Sequence, residues 1–183
     1  MIAFVLAHLV AAAAAPLLVR RIGRWTFAVL AVVPAVTFGW ALTATGTVLD
    51  GGAVTTVVDW VPAIGMEIAL SMGLLQWVMV LVVAGIGALV LAYCSWYFHS
   101  GEDGLVAFSS AFLGFVGAML GLVLADDLLL LYVFWELTTV FSYLLIGGAG
   151  TRLAARRAAS QALILTTAGG LAMLVGLIMI GET

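Results

Sequence analysis

Six runs of predominantly apolar residues, at 1–19, 25–46, 72–98, 105–124, 128–148 and 157–180, leave this chain few ways to fold. A helix of about 20 such residues crosses the roughly 30 Å hydrocarbon core of a bilayer. Inside that core no water can satisfy a backbone amide or carbonyl, so each run must bond within itself as a helix. The rest of the composition agrees: 66% of the 183 residues are hydrophobic and 8% are charged. A soluble domain needs roughly a quarter of its residues charged to face water. The fold class that follows is an all-α integral membrane domain of about six transmembrane helices over residues 1–183.

Several functions are excluded by what is scarce. The chain has no lysine and all six cations are arginines, so no basic face exists that could follow a phosphate backbone, and a nucleic-acid partner is ruled out. Cys94, the single cysteine, lies in an apolar run and reads as a small buried hydrophobe rather than part of a disulfide or metal cluster. "GIG" at 85–87 and "GGAG" at 147–150 lack the strand-to-helix setting of a phosphate loop. No metal-ligand spacing or nucleophilic triad is present. Enzyme chemistry, a metal and a bound cofactor are therefore not expected.

Between the second and third runs the pattern changes. "ATGTVLDGGAVTTVVDWVPAIGMEIALS", residues 44–71, has paired glycines at 51–52, a β-branched run at 54–58 and Pro62. These features predict a short hairpin in a loop at 47–71, outside the membrane. Pro34 predicts a kink in the second helix. Gly117 and Gly121 form a GxxxG in the fourth run, a close-packing signal.

Orientation follows from the arginines. Arg20, Arg21 and Arg24 fall between the first two spans, and Arg152, Arg156 and Arg157 between the last two. With six spans those two loops share a side, which the positive-inside rule places in the cytoplasm. The N-terminus and the 47–71 hairpin are then outside. "AAAAAP" (11–16) resembles a cleavage site, but the arginines follow the apolar run instead of preceding it, as a spanning helix requires.

Against this background Glu136, in "YVFWELTTVFSYLLIG" (132–147), is the residue that needs a reason. It lies nine residues beyond Asp127, about 14 Å along the fifth helix and close to the bilayer midplane. A carboxylate there costs about 2.5–3.5 kcal/mol on insertion scales. Tyr132, Thr139 and Tyr143 lie at helical spacing from it, so three hydroxyls line its face; Leu130, Val133 and Phe141 occupy the other. Two roles fit: a station in a transmembrane proton or ion path, or a hydrogen-bonding anchor between helices with no transport role. No cation lies at this depth in any of the six runs, which places its charged partner in another part of a longer protein or in another polypeptide of a complex. His8 reads mainly as a packed or partly hydrated side chain, His99 as interfacial and Asp127 as a helix end, with ligand or entrance roles the lesser reading.

"LLLLYVFWELTTVFSYLLIGG" (128–148) resembles the fifth helix of the antiporter-like subunits shared by respiratory complex I and multisubunit Mrp antiporters, and "ALVLAYCSWYF" (88–98) is similar to their third. "DWVPAIG" (59–65), "AGIGALV" (84–90) and "RRAASQALILTTAGGLAMLVGLIMIGE" (156–182) resemble the A-type subunit of Mrp antiporters in particular. One departure is Met72 before Gly73, where the family commonly has an aspartate. The resemblance implies a subunit of a Na⁺/H⁺ antiporter in a bacterial plasma membrane, working in a hetero-oligomer with other subunits, with Na⁺ and H⁺ as transported ions. It implies that Glu136 belongs to a buried charge pair whose lysine lies on a later helix, so this chain is expected to be the N-terminal portion of a larger subunit. The same residues suit a proton-pumping subunit of complex I or a membrane-bound hydrogenase, and a non-transporting scaffold is a third reading.

Overall fold

In the computed structural model, which describes residues 1–61, 66–99, 104–148 and 153–181, all six apolar runs are helical. They are α1 (Ile2–Ile22), α2 (Thr26–Thr43), α4 (Leu74–Tyr97), α5 (Leu105–Leu124), α6 (Leu128–Gly147) and α7 (Leu153–Gly181). A short α3 (Thr45–Leu49) and two strands, β1 (Val54–Val61) and β2 (Met66–Met72), fill the interval between α2 and α4. Arg152, the Glu102–Asp103 pair, Pro62 and residues 149–150 lie outside the described residues.

Five helical segments are long and apolar enough to cross a membrane, and the first of them, Ile2–Thr43, runs for 42 residues. It is long enough for two passes and consists of two helices, α1 and α2. A 3₁₀ turn at Gly23–Trp25 interrupts it, and Gly23 adopts φ 55°, ψ −132°, a conformation that a side chain would strain. The contacts of the two halves give their directions. His8 and Leu9 of α1 pack on Gly117 of α5. On the other side, Phe38 packs on Gly85, Pro34 on Gly87, and the Trp77 indole donates to the Ala41 carbonyl at 2.8 Å, so α2 runs antiparallel to α4. Val116 of α5 also meets Gly87, which makes α4 and α5 neighbours.

α5 is the central helix, touching α1, α4 and α6. Half of it is buried, against 6% of α7, which packs chiefly on α6 and forms an edge. Two apolar clusters hold the bundle together. One gathers Val5, Ala41, Val80, Leu120, Leu124 and Leu130 with Leu70 and Met72 of β2. The other gathers Ala15, Phe27, Leu30, Leu91 and Leu113, beside the packed rings of Phe27, Phe98 and Phe108.

The predicted hairpin is present and antiparallel, pairing Val54 with Met72 through to Asp59 with Glu67. It is pinned to the α5–α6 turn: Leu70 bridges to Ala125, and the Asp126 amide donates to the Ala69 carbonyl at 3.0 Å.

Two helix starts depart from expectation. α4 begins at Leu74 instead of 72, because Met72 completes β2 and Gly73 is extended. α7 begins at Leu153, so Arg156 and Arg157 ride on its first turns, where long side chains can reach a polar boundary while their stems stay apolar. The GxxxG is a close-packing site, as expected, and serves two partners: Gly117 receives α1, whereas Gly121 receives Phe134 of α6. α2 remains helical through Pro34.

Candidate functional site: a carboxylate between two membrane helices

α6 owes its start to Asp127, whose carboxylate accepts from the Leu129 and Leu130 amides, both at 2.9 Å. These are two of the amide donors that every helix start leaves without a partner inside the helix. From there the helix presents two different faces. Phe134 and Phe141, seven residues apart, press their rings onto Gly121 and Gly114 of α5, also seven apart, where a methyl would have no room. With Leu130, buried in the core, they anchor α6 to the centre of the bundle.

Glu136 sits on the other face and is half-buried. It turns toward α7, where its Oε1 lies against Gly170, with Trp135 alongside. That oxygen is buried and has no hydrogen-bond partner. The Tyr132 phenol, one turn earlier, faces the same carboxylate and interacts with it. Further along, a cleft of about 310 Å³ opens between α5, α6 and α7, lined on its polar side by Thr138, Thr139, Ser142, Tyr143 and Thr166. Thr138 and Thr139 both donate to the Trp135 carbonyl, at 2.7 and 3.2 Å, leaving their oxygens as acceptors. Tyr143 also borders a second cleft of about 400 Å³, which reaches Ser110 and Arg156.

The structure thus gathers Glu136, Tyr132, Thr139 and Tyr143 along the α6–α7 side, and keeps the other candidates apart. His8 is fully buried between α1 and α5; its Nδ1 bonds the Phe4 carbonyl at 2.8 Å and its Nε2 has no partner. His99 is exposed just past the end of α4. Asp127 caps α6 and borders an acidic cleft with Trp60, Glu67 and Asp126. No group of three or more His, Cys, Asp or Glu side chains able to hold a metal occurs among the described residues.

Sequence reasoning missed Thr138, Ser142, Thr166 and Gly170. The first two lie off the strict face through Glu136, and the last two are on another helix. Only the packing of α6 on α7 brings all four to the site.

Known proteins resemble this chain in sequence and in fold. Residues 125–182, which include both α6 and α7, match the family described as NADH:quinone oxidoreductase/Mrp antiporter, TM. The chain is 44% identical over 135 residues to the A/B subunit of a probable K⁺/H⁺ antiporter of Rhizobium meliloti, covering 74% of this chain and 13% of that protein. It is 40% identical over 148 residues to the A1 subunit of a Na⁺/H⁺ antiporter of Staphylococcus aureus, covering 81% of this chain and 18% of the relative. The chain therefore spans less than a fifth of the length of these curated relatives. Among solved structures, the Mrp complex from Dietzia sp. DQ12-45-1b superposes with a TM-score of 0.78 at 35% identity, over 94% of this chain and 18% of that one. An archaeal membrane-bound sulfane sulfur reductase shares the fold, with a TM-score of 0.72 at 21% identity over 98% of this chain and 27% of that one. With these helices and relatives, this multi-pass membrane chain carries the NADH:quinone oxidoreductase/Mrp antiporter transmembrane domain over residues 125–182 and is similar over most of its length to the A-type subunits of Mrp antiporters.

Proposed function

We propose that this chain forms part of one subunit of a cation/proton antiporter, with Glu136 as a station in its transmembrane proton or ion path. The observation that carries the reading is the setting of Glu136. Among the described residues it is the only acidic side chain within the interior of a membrane-spanning helix, and one of its oxygens is buried without a partner. An anchor between helices would be expected to satisfy its hydrogen bonds, because an unpaired polar group in a low dielectric costs more than the bond would gain. A carboxylate that takes up a proton or a cation keeps an oxygen open for that ligand, at a cost that function retains.

The hydroxyl-lined cleft beside it supports the same reading. Water held there can lie between Glu136 and the arginine end of the bundle along acceptors on Thr138, Thr139 and Ser142. In this proposal the N-terminus and the β1–β2 hairpin face outward and the arginines face the cytoplasm. The complex works in a bacterial plasma membrane with further subunits, and Na⁺ or K⁺ is exchanged for H⁺. The charged partner of Glu136 lies on another segment or another polypeptide of the complex.

The test is cation-dependent dissipation of a proton gradient in inverted vesicles containing the whole complex, with Na⁺ and K⁺ added separately. Glu136→Gln keeps the shape and removes the titratable group. The expected result is loss of the cation response at unchanged complex abundance. Wild-type behaviour of the variant would make the carboxylate a structural anchor. Absence of any cation response in the wild type would favour a redox-driven pump.

A further inference from the structure

We propose that Gly170 of α7 is a positioning residue for Glu136, providing the gap into which the carboxylate turns. The inference rests on the reading of Glu136 given above and deepens it. Gly170 is buried in the middle of α7, while its neighbour Gly169 is exposed. A methyl group built on Gly170 would fall on Glu136 Oε1, with the Trp135 ring 3.8 Å away; one built on Gly169 meets nothing within 4 Å. Two adjacent glycines in a helix interior lower its intrinsic stability relative to alanine. At position 170 the missing side chain has a definite use, since it lets a polar atom of α6 lie directly on the α7 backbone.

The consequence is geometric. Glu136 is anchored at its Cα by the packing of Phe134 and Phe141 on α5, so α6 cannot move away to make room. Any side chain at 170 must displace either the carboxylate or α7 itself. Because α7 packs chiefly on α6, the Glu136–Gly170 contact, like Ala159 against Gly147 nearer the other end, is a point where α6 and α7 approach closely. The gap therefore selects the direction in which the carboxylate points, and with it the group that can exchange a proton or cation with it.

Four variants in the intact complex test this. Gly170→Ala is expected to lower cation-dependent proton movement by between about tenfold and a hundredfold, the scale of misplacing a reacting group by about 1 Å. Gly169→Ala is expected to match wild type. Glu136→Asp draws the carboxylate back by one methylene, so Gly170→Ala is expected to have little or no further effect in that background. Equal activity of the two glycine variants overturns the proposal. So does a loss in Gly170→Ala that persists in full in an active Glu136→Asp background.

Should Gly170→Ala fail to assemble, or Glu136→Asp be inactive, the thermal stability and abundance of the complex decide. Adding Glu136→Ala must restore what Gly170→Ala removed; failure to restore it overturns the proposal. This last readout does not depend on transport. If Glu136→Gln proves fully active, the transport reading falls while the steric coupling can still be observed. If Glu136→Gln is inactive and the two glycine variants are alike, the coupling falls and the transport reading stands.

Discussion

Two carboxylates on α6, at its start and in its interior, perform different tasks although they are only nine residues apart. Asp127 has its oxygen committed to two backbone amides, while Glu136 keeps an oxygen with no donor at all. Removing the cap with Asp127→Ala should destabilise the α6 start by about 1 kcal/mol, seen as a lower midpoint when the purified complex is heated. Asp127→Asn retains an acceptor oxygen and should keep both stability and transport. Loss of transport in Asp127→Asn at normal stability would instead assign the residue to an ion entrance. At this scale much was legible in the sequence: Glu136 stood out because its depth and apolar surroundings made it costly. Thr138, Ser142 and Gly170 did not stand out, because small polar and small apolar side chains are cheap anywhere in a membrane helix and reveal their use only through a neighbour.

Helices in a bilayer have no hydrophobic incentive to associate, so their contacts depend on shape. α5 and α6 show how: rings on one helix enter gaps left by glycines on the other, at matching seven-residue intervals. Gly121→Leu should therefore displace Phe134 and reduce assembled complex several-fold, in line with a cost of about 1–3 kcal/mol or more for overpacking. Gly39→Leu, at an exposed site on α2 with nothing within 4 Å, should leave assembly unchanged. Native gels of membranes from each variant would compare them. The sequence signal here was real but incomplete. Gly117 and Gly121 marked close packing, yet spacing along α5 could not say that one faces α1 and the other α6.

Across the whole molecule, Arg20, Arg21, Arg24, Arg156 and Arg157 lie at one end of the bundle and the hairpin, the acidic α5–α6 turn and the start of α1 at the other. In a Cys94→Ala background, a membrane-impermeant thiol reagent should label Asp50→Cys from outside intact cells. It should reach Leu153→Cys only in inverted vesicles; the reverse pattern would invert the topology. What the chain determines by itself is how many times it crosses, where it turns and which residue is out of place in lipid, because each depends on hydropathy and spacing within one segment. Tertiary structure alone decides that α6 shows its rings to α5 and its carboxylate to α7, and that Gly170 leaves the gap the carboxylate occupies. Those facts depend on which helices meet and at what height, and no periodicity within a single helix encodes the rotation of its neighbour.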